Sequence, residues 1–227
     1  MKFSFLSENT GIILFEQKIE RATFQRVNQC TQAIEIHLSQ FIVDLVPAYA
    51  SIHIVFNLIK VSAETFEILL NQVIENLSID VVEVTGQKTV TIPVYYGSEV
   101  APDIGLVAQF SNLTIDAVIA LHTSIVYDVY AIGFAPGFAY LGNVDNRIAM
   151  PRKESPRQKV VKGSVGIADQ QTAIYPSDSP GGWQIIGRTA ISLIDYNDER
   201  LTKFETGGKV KFNAVTRQDF IDMGGEL

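Results

Sequence analysis

The chain has 227 residues, 47% of them hydrophobic, and includes 13 Phe and 8 Tyr. This composition is typical of a folded core, in one large domain or two small ones, and not of a disordered chain. The formal net charge of -7 disfavours a general nucleic-acid binder. Cys30 is the single cysteine, no apolar run is long enough to span a bilayer, and the first residues lack the pattern of a signal peptide. We therefore expect a cytoplasmic protein without disulfides that does not associate with membranes.

The charge is unevenly distributed along the chain. Six basic residues and one acid, Glu154, lie between Arg147 and Lys162. Such a basic segment on an acidic protein can bind a small anion or an acidic partner surface, or it can be a solvated loop with scattered charges. Charge alone leaves both interpretations open.

The first part of the chain alternates short strands with helices. This order favours a small α+β domain of ferredoxin-like kind over residues 1–88. Apolar residues at helical spacing and the N-cap residue Ser62 predict two helices. The predicted elements are strands at Lys2–Leu6, Ile12–Phe15, Phe41–Val46, Ser51–Phe56 and Ile79–Val84, and helices over Ile19–Leu38 and from Ser62 onward.

From residue 89 the pattern changes to many short strands separated by Gly and Pro. This is typical of a β-barrel or β-sandwich, which we predict over residues 89–227. The predicted elements are strands at Val90–Tyr95, Ile125–Phe134, Lys159–Ile167, Thr172–Tyr175, Gly182–Ile186, Thr189–Ile194 and Lys209–Phe212, and helices at Ala101–Phe110 and Thr114–His122.

Common catalytic signatures are missing from the sequence. It has no G-x-x-x-x-G-K-[ST] phosphate loop, no G-x-G-x-x-G, no H-E-x-x-H and no G-x-S-x-G. Its histidines, His37, His53 and His122, are widely separated and have no cysteine nearby. We therefore expect no metal site in this chain.

Two loop-rich runs stand out instead. Gly133–Gly142 reads GFAPGFAYLG, and Tyr175–Arg188 reads YPSDSPGGWQIIGR and contains the only tryptophan. Their glycines and prolines favour tight turns. The first run is either a well-packed barrel corner or the apolar wall of a pocket, and Trp183 is either a binding residue or part of the core.

These runs and the basic segment together predict a concave binding site. Aromatic side chains would form its apolar wall, arginines would bind a carboxylate or phosphate, and backbone N–H groups would donate hydrogen bonds. His122 is the one candidate general base, or else a structural histidine. The predicted binding residues are Phe134, Phe138, Arg152, Arg157, Tyr175, Ser179, Gly181, Gly182, Trp183 and Arg188.

A succession of motifs between Thr89 and Ile194 resembles the KipI family, also called allophanate hydrolase subunit 1. The motifs are IPVYYG, GFAPGFAYLG, IAMPRKESPR, KGSVGIA and TAIYPSDSPGGWQIIGRT. The resemblance implies a cyclophilin-like barrel as the second domain, preceded by a small α+β domain. Ala139, Ala173 and the segment Asp169–Gln171 depart from the pattern expected of the family.

The resemblance implies three alternative activities. The favoured one is the B subunit of an ATP-dependent 5-oxoprolinase, which would convert 5-oxoproline to glutamate together with a KipA-like C subunit and an A subunit, and would be inactive alone. ATP would be bound by the partner or shared with it. The alternatives are a KipI-type inhibitor of a sensor histidine kinase and a component of a urea carboxylase or allophanate-type enzyme.

Overall fold

The structure is a computed structural model that describes residues 1–18, 20–77, 89–197 and 201–227. Its internal contacts divide the chain into two compact units, Met1–Gly86 and Gln87–Leu227. The predicted strand Ile79–Val84, the predicted helix start at Ile19 and the predicted domain boundary at residue 88 lie outside the described residues.

The first unit contains a four-stranded antiparallel sheet in the order β1-β2-β4-β3. Alternate residues of β4 are buried, and the buried face of α1 recurs at helical spacing. The Ser62 hydroxyl caps α2 by accepting a hydrogen bond from the Thr65 backbone N–H at 3.2 Å. The elements are β1 (Lys2–Ser7), β2 (Thr10–Leu14), α1 (Arg21–Leu38), β3 (Ile42–Ala48), β4 (Ser51–Phe56) and α2 (Ala63–Glu75).

These bounds confirm the strands and helices predicted for residues 1–77. The unit has mixed α and β content, as expected. The ferredoxin-like arrangement stays a prediction, because the strand that would complete it, Ile79–Val84, lies outside the described residues.

The second unit is built on a seven-stranded sheet in the order β12-β9-β10-β7-β6-β13-β5, with a small β11-β8 sheet beside it. Neighbouring strands are antiparallel except β13 and β5, which are parallel. The elements are β5 (Thr89–Val94), α3 (Ile104–Phe110), α4 (Ile115–Ser124), β6 (Val126–Ile132), β7 (Ala139–Gly142), β8 (Arg157–Val160), β9 (Ser164–Ala168), β10 (Gln171–Ile174), β11 (Ser179–Gly181), β12 (Gln184–Arg188), β13 (Lys209–Ala214) and α5 (Arg217–Asp222).

The two edge strands of this sheet meet just beyond β5 and at the end of β12. Tyr95 N donates to Arg188 O at 2.9 Å, and Arg188 N donates to Tyr95 O at 2.8 Å. This pair brings the sheet close to a closed barrel, which leaves little free strand edge. The nearly closed sheet confirms the prediction that the second unit is mainly β.

Side chains on β9, β10 and β12 alternate between two hydrophobic clusters. Ile167 and Ile186 belong to the large core that also contains Tyr127 and Phe212. Trp183, Tyr175 and their neighbours point the other way, into a smaller cluster that includes Val160 of β8. This alternation places the aromatic residues of the two loop-rich runs together on one face of the sheet.

One predicted strand, Lys159–Ile167, is wrong. The structure divides it at Gly163 into β8 and β9, which belong to different sheets. Gly163 has a φ of +81°, and a Cβ there would lie 2.2 Å from the Thr189 carbonyl oxygen. The chain needs glycine at this turn because no other residue fits.

A second predicted strand, Thr189–Ile194, is also wrong. β12 continues to Arg188, and Thr189 N then donates to Gly163 O at 2.9 Å, which turns the chain away. Of the predicted segment, Ile194 alone takes part in a β-bridge, an isolated one with Thr202. Three elements, β7, β11 and α5, were not predicted, and the first two of them lie inside Gly- and Pro-rich runs.

Within the described ranges, no single helix is long and apolar enough to cross a membrane. The helices α3 and α4 meet such a criterion only when they are taken together, and they are bent by 94° relative to each other.

Candidate functional site

The predicted aromatic residues surround a cavity of about 250 Å³ in the second unit, here called the aromatic cavity. Seven of the predicted binding residues line it, together with three that were not predicted, Tyr140, Pro156 and Pro180. The predicted residues in the lining are Phe134, Phe138, Arg152, Tyr175, Gly181, Gly182 and Trp183.

Three buried rings form the wall of the aromatic cavity. Phe138 precedes β7, Tyr175 follows β10 and Trp183 precedes β12, and each ring is at most 5% exposed. Phe138 meets Tyr175 at 5.3 Å between ring centroids and 85° between planes, and it meets Trp183 at 5.8 Å and 89°. Edge-to-face contacts of this kind hold aromatic rings in fixed orientations.

Phe134 stands at the edge of this wall and is 67% exposed. Its ring contacts Phe138 at 5.3 Å, and its backbone has a φ of +72°. A non-glycine residue in this left-handed region is strained, and such strain concentrates at ligand-binding sites.

Glycine at position 181 is required by the Tyr175 ring. A Cβ on Gly181 would lie 2.3 Å from the Tyr175 hydroxyl oxygen. Gly182 is different, since the nearest atoms to its Cβ position, in Lys153 and Pro156, lie at 3.7 Å, an ordinary contact distance. Burial raises the pKa of Tyr175, against smaller opposing effects of the Trp183 backbone and nearby arginines.

Arg152 supplies positive charge at this cavity. Its side chain is exposed, and its guanidinium carbon lies 5.7 Å from the centroid of the Trp183 ring, within range of a cation–π contact. No carboxylate in the described residues lies within ion-pair distance of it.

Arg157 occupies a different environment from the one predicted. Its guanidinium lies 2.6 Å from Oδ1 of Asp103, and Lys153 Nζ lies 3.3 Å from the same oxygen. The Ile185 backbone N–H donates to the other oxygen at 2.7 Å. Arg157 also donates to the Trp183 carbonyl at 3.4 Å. Arg157 thus connects β8 to the start of β12 next to the cavity, and it does not line the cavity.

Asp103 is the residue of this region that the sequence analysis missed. It is 4% exposed and immediately precedes α3. Burial pushes the pKa of Asp103 upward, but the hydrogen bonds from Arg157 and Ile185 outweigh it, so the pKa lies below its ordinary value. Asp103 lay inside the predicted helix Ala101–Phe110, whereas α3 begins at Ile104, and the sequence carried no signal of its distant partners.

Ser179 and Arg188 do not line the aromatic cavity. Ser179 pairs with Val160 in the β11-β8 sheet, so the backbone there is an extended strand and not a turn with converging N–H donors. The Arg188 side chain donates to the Glu226 carbonyl at 3.0 Å. The Arg188 backbone pairs with Tyr95 at the barrel closure, independently of this side-chain bond.

His122 lies in the core of the second unit, fully buried and outside the cavity lining. Thr172 Oγ1 donates to the Gly166 carbonyl at 3.0 Å, so it accepts from His122 Nε2 at 2.9 Å. His122 Nδ1 then accepts from the Tyr96 hydroxyl at 2.8 Å. Burial lowers the pKa of His122 to about 3. These contacts are those of a neutral structural histidine, and they give the predicted catalytic role no support.

A larger cavity of about 410 Å³ lies elsewhere in the second unit, near the starts of β5 and β13. Its lining mixes acids and lysines, among them Glu205 and Lys209, and Lys209 is ion-paired with Asp128. None of the predicted site residues lines it. In the part of the chain that the structure describes, no group of three His, Cys, Asp or Glu side chains could hold a metal ion.

Comparison with known families identifies the class of protein. Residues 1–204 match the family model of the carboxyltransferase domain, subdomain C and D. The match covers most of the chain, so the chain belongs to this family. Two of its relatives are B subunits of bacterial 5-oxoprolinases.

One of these relatives is the 5-oxoprolinase B subunit of Bacillus subtilis strain 168. It is 35% identical over 224 residues, which cover 95% of this chain and 93% of that protein. The 5-oxoprolinase B subunit of Haemophilus influenzae is 46% identical over 125 residues, which cover 55% of this chain and 59% of that protein.

Solved structures show the same fold. TTHA0988 superposes with a TM-score of 0.77 and 29% identity over 91% of this chain, which spans 40% of that protein. PH0987 from Pyrococcus horikoshii gives a TM-score of 0.58 and 40% identity over 96% of this chain and all of that one. The Kluyveromyces lactis urea carboxylase superposes with a TM-score of 0.74, and this chain covers 22% of its length. Because the two are only 17% identical, they share the fold alone.

Proposed function

We propose that this chain is the B subunit of an ATP-dependent 5-oxoprolinase, which acts with a C subunit and an A subunit to convert 5-oxoproline to glutamate. The observation that carries the proposal is the match with the Bacillus subtilis B subunit along 95% of this chain. The aromatic cavity is the proposed ligand site. We also propose the finer assignments that the family resemblance implied, namely a ferredoxin-like first domain, a cyclophilin-like second domain and a cytoplasmic location.

The composition of the cavity lining supports the proposal that the chain is inactive alone. Hydrolysis of a lactam needs an activated nucleophile and a group that stabilises the developing oxyanion. The described residues that line the cavity include no carboxylate, imidazole, thiol or amine. Tyr175 is a poor base because burial raises its pKa. Reacting groups would therefore come from a partner protein.

The same residues do not fit ATP. A triphosphate needs several cations or a cradle of backbone N–H groups, and the described lining holds Arg152 as its single cation. The cavity volume of about 250 Å³ also suits a smaller molecule. We accordingly propose that the partner protein binds the nucleotide.

The test is ATP- and 5-oxoproline-dependent formation of glutamate by the purified chain, alone and with the co-expressed C and A subunits. We expect turnover in the full set and none in the single chain. Turnover by the single chain would contradict the need for partners. An inactive full set would contradict the oxoprolinase assignment, and assays of urea-type carboxylation and of binding to sensor histidine kinases would then separate the alternatives.

A further inference from the structure

We propose that the aromatic cavity binds a small cyclic monocarboxylate, with its ring among the aromatic side chains and its carboxylate on Arg152. The proposal rests on the proposed function only in taking 5-oxoproline as the natural ligand. The chemical class follows from the cavity.

The charge of the ligand follows from how the cations are paired. Arg157 and Lys153 both engage the Asp103 carboxylate, at 2.6 Å and 3.3 Å, and neither of them lines the cavity. Arg152 has no carboxylate partner in the described residues and stands over Trp183 at the cavity. A guanidinium binds a carboxylate through two parallel N–H···O hydrogen bonds. One unpaired arginine matches a ligand with one negative charge, whereas a polyanion would keep charges without partners.

The shape of the ligand follows from the wall. Phe138, Tyr175 and Trp183 are buried and meet edge to face, so they offer a rigid apolar surface. The volume of about 250 Å³ lies below the roughly 300–1,000 Å³ of pockets for drug-sized ligands. A single compact ring fits this space and buries its apolar atoms against the rings.

The Phe134 ring lies beside Phe138 and is exposed at the mouth of the cavity. A large aromatic side chain that is 67% exposed and held at a φ of +72° carries two costs in the free protein. A ring bound beside Phe138 would cover part of Phe134 and recover apolar burial. Phe134 is thus placed to contact the solvent side of the ligand.

Trp183 provides a direct readout, because it is the one tryptophan in the sequence and lies in the cavity wall. The full chain is titrated with cyclopentanecarboxylate, with 5-oxoproline and with the neutral lactam 2-pyrrolidinone, by Trp fluorescence and calorimetry. We expect saturable binding of both acids, and binding of the neutral lactam at least about tenfold weaker, since it lacks the charge-assisted hydrogen bonds.

The matched variants are Arg152→Ala and Arg147→Ala. Arg152→Ala should weaken binding of both acids roughly ten- to a hundredfold. Arg147→Ala should leave it unchanged, because Arg147 pairs with Asp145 at 2.8 Å and does not line the cavity. Equal affinities for the neutral lactam and the acids, or unchanged affinity in Arg152→Ala, would overturn the proposal. Tighter binding of AMP than of either acid would overturn it in favour of a site for a nucleotide base.

Assays of the assembled complex keep this proposal separate from the function. If the complex forms glutamate but Arg152→Ala changes neither KM nor ligand binding, the site assignment fails and the function stands. If the complex forms no glutamate while cyclopentanecarboxylate binds in an Arg152-dependent way, the function fails and the site stands. Absence of acid binding by both the chain and the complex would refute the site.

Discussion

The Asp103 carboxylate and the Arg157 guanidinium lie 2.6 Å apart, although the residues are separated by 54 positions in the sequence. The other oxygen of Asp103 accepts the Ile185 backbone N–H. One buried carboxylate thus joins the start of α3 to β8 and β12. These are the strands that flank the aromatic residues of the cavity.

Removing this carboxylate should destabilise the second unit. We expect Asp103→Ala to lower the free energy of unfolding by about 3 kcal/mol, because Arg157, Lys153 and a buried N–H lose their partner. Since the pKa of Asp103 is lowered on folding, the part of its contribution that depends on its charge should be full above the unfolded pKa and be lost as the pH falls through the folded value. Urea unfolding at neutral and acidic pH measures both effects.

Asp145→Ala is the control for that variant. Asp145 pairs with the exposed Arg147 at 2.8 Å, and exposed pairs of this kind contribute little to stability. An Asp103→Ala variant no less stable than Asp145→Ala would contradict the anchoring role of Asp103.

The two glycines at positions 181 and 182 should respond differently to alanine. Gly181→Ala places a Cβ 2.3 Å from the Tyr175 hydroxyl, so the ring or the strand must move, at a cost of about 1–3 kcal/mol. Gly182→Ala meets its nearest atoms at 3.7 Å and should be nearly neutral. Unfolding midpoints and the Trp183 emission spectrum report the difference, and equal behaviour of the two variants would argue against the tight packing of Tyr175.

His122 should make the protein sensitive to acid. Its pKa is about 3 in the folded chain and about 6.5 in the unfolded one, so the unfolded state binds a proton first as the pH falls. The free energy of unfolding therefore keeps the full contribution of neutral His122 above pH 6.5. It loses roughly 4–5 kcal/mol in total as the pH falls toward 3. Unfolding free energies measured across this range should fall with decreasing pH.

His122→Gln should be less stable at neutral pH but should lose less stability on acidification. His37 is exposed, so His37→Gln supplies the matched control for the loss of a histidine. An unchanged slope in His122→Gln would show that the buried imidazole is not the source of the acid sensitivity.

Residues 87–227 should fold without the first unit. They contain their own hydrophobic core, with Tyr127 and Phe212 fully or almost fully buried, and a sheet brought near closure by Tyr95 and Arg188. We expect the isolated fragment to unfold cooperatively and to retain near-UV circular dichroism from Trp183. A fragment that aggregates or lacks fixed aromatic packing would show that the second unit depends on the first.

Most elements could be predicted from the sequence because their signals are local. The spacing of Phe24, Val27 and Ile34 predicts α1, the Ser62 cap predicts the start of α2, and alternation predicts β4. The two wrong strands, Lys159–Ile167 and Thr189–Ile194, have a shared cause. The Gly163 turn is set by the Thr189 carbonyl, which lies far along the chain.

The sequence by itself determined the composition of the site: two runs rich in glycine and aromatic residues, and a basic segment between them. Their motifs also carried the resemblance to the family. Only the tertiary structure decided which of the arginines serves the cavity. Arg152, Arg157 and Arg188 are chemically alike in sequence, but the second is paired with Asp103 and the third donates to the Glu226 carbonyl, away from the cavity. Charge pairing depends on distances through space, which strand order and register fix and local sequence patterns do not record.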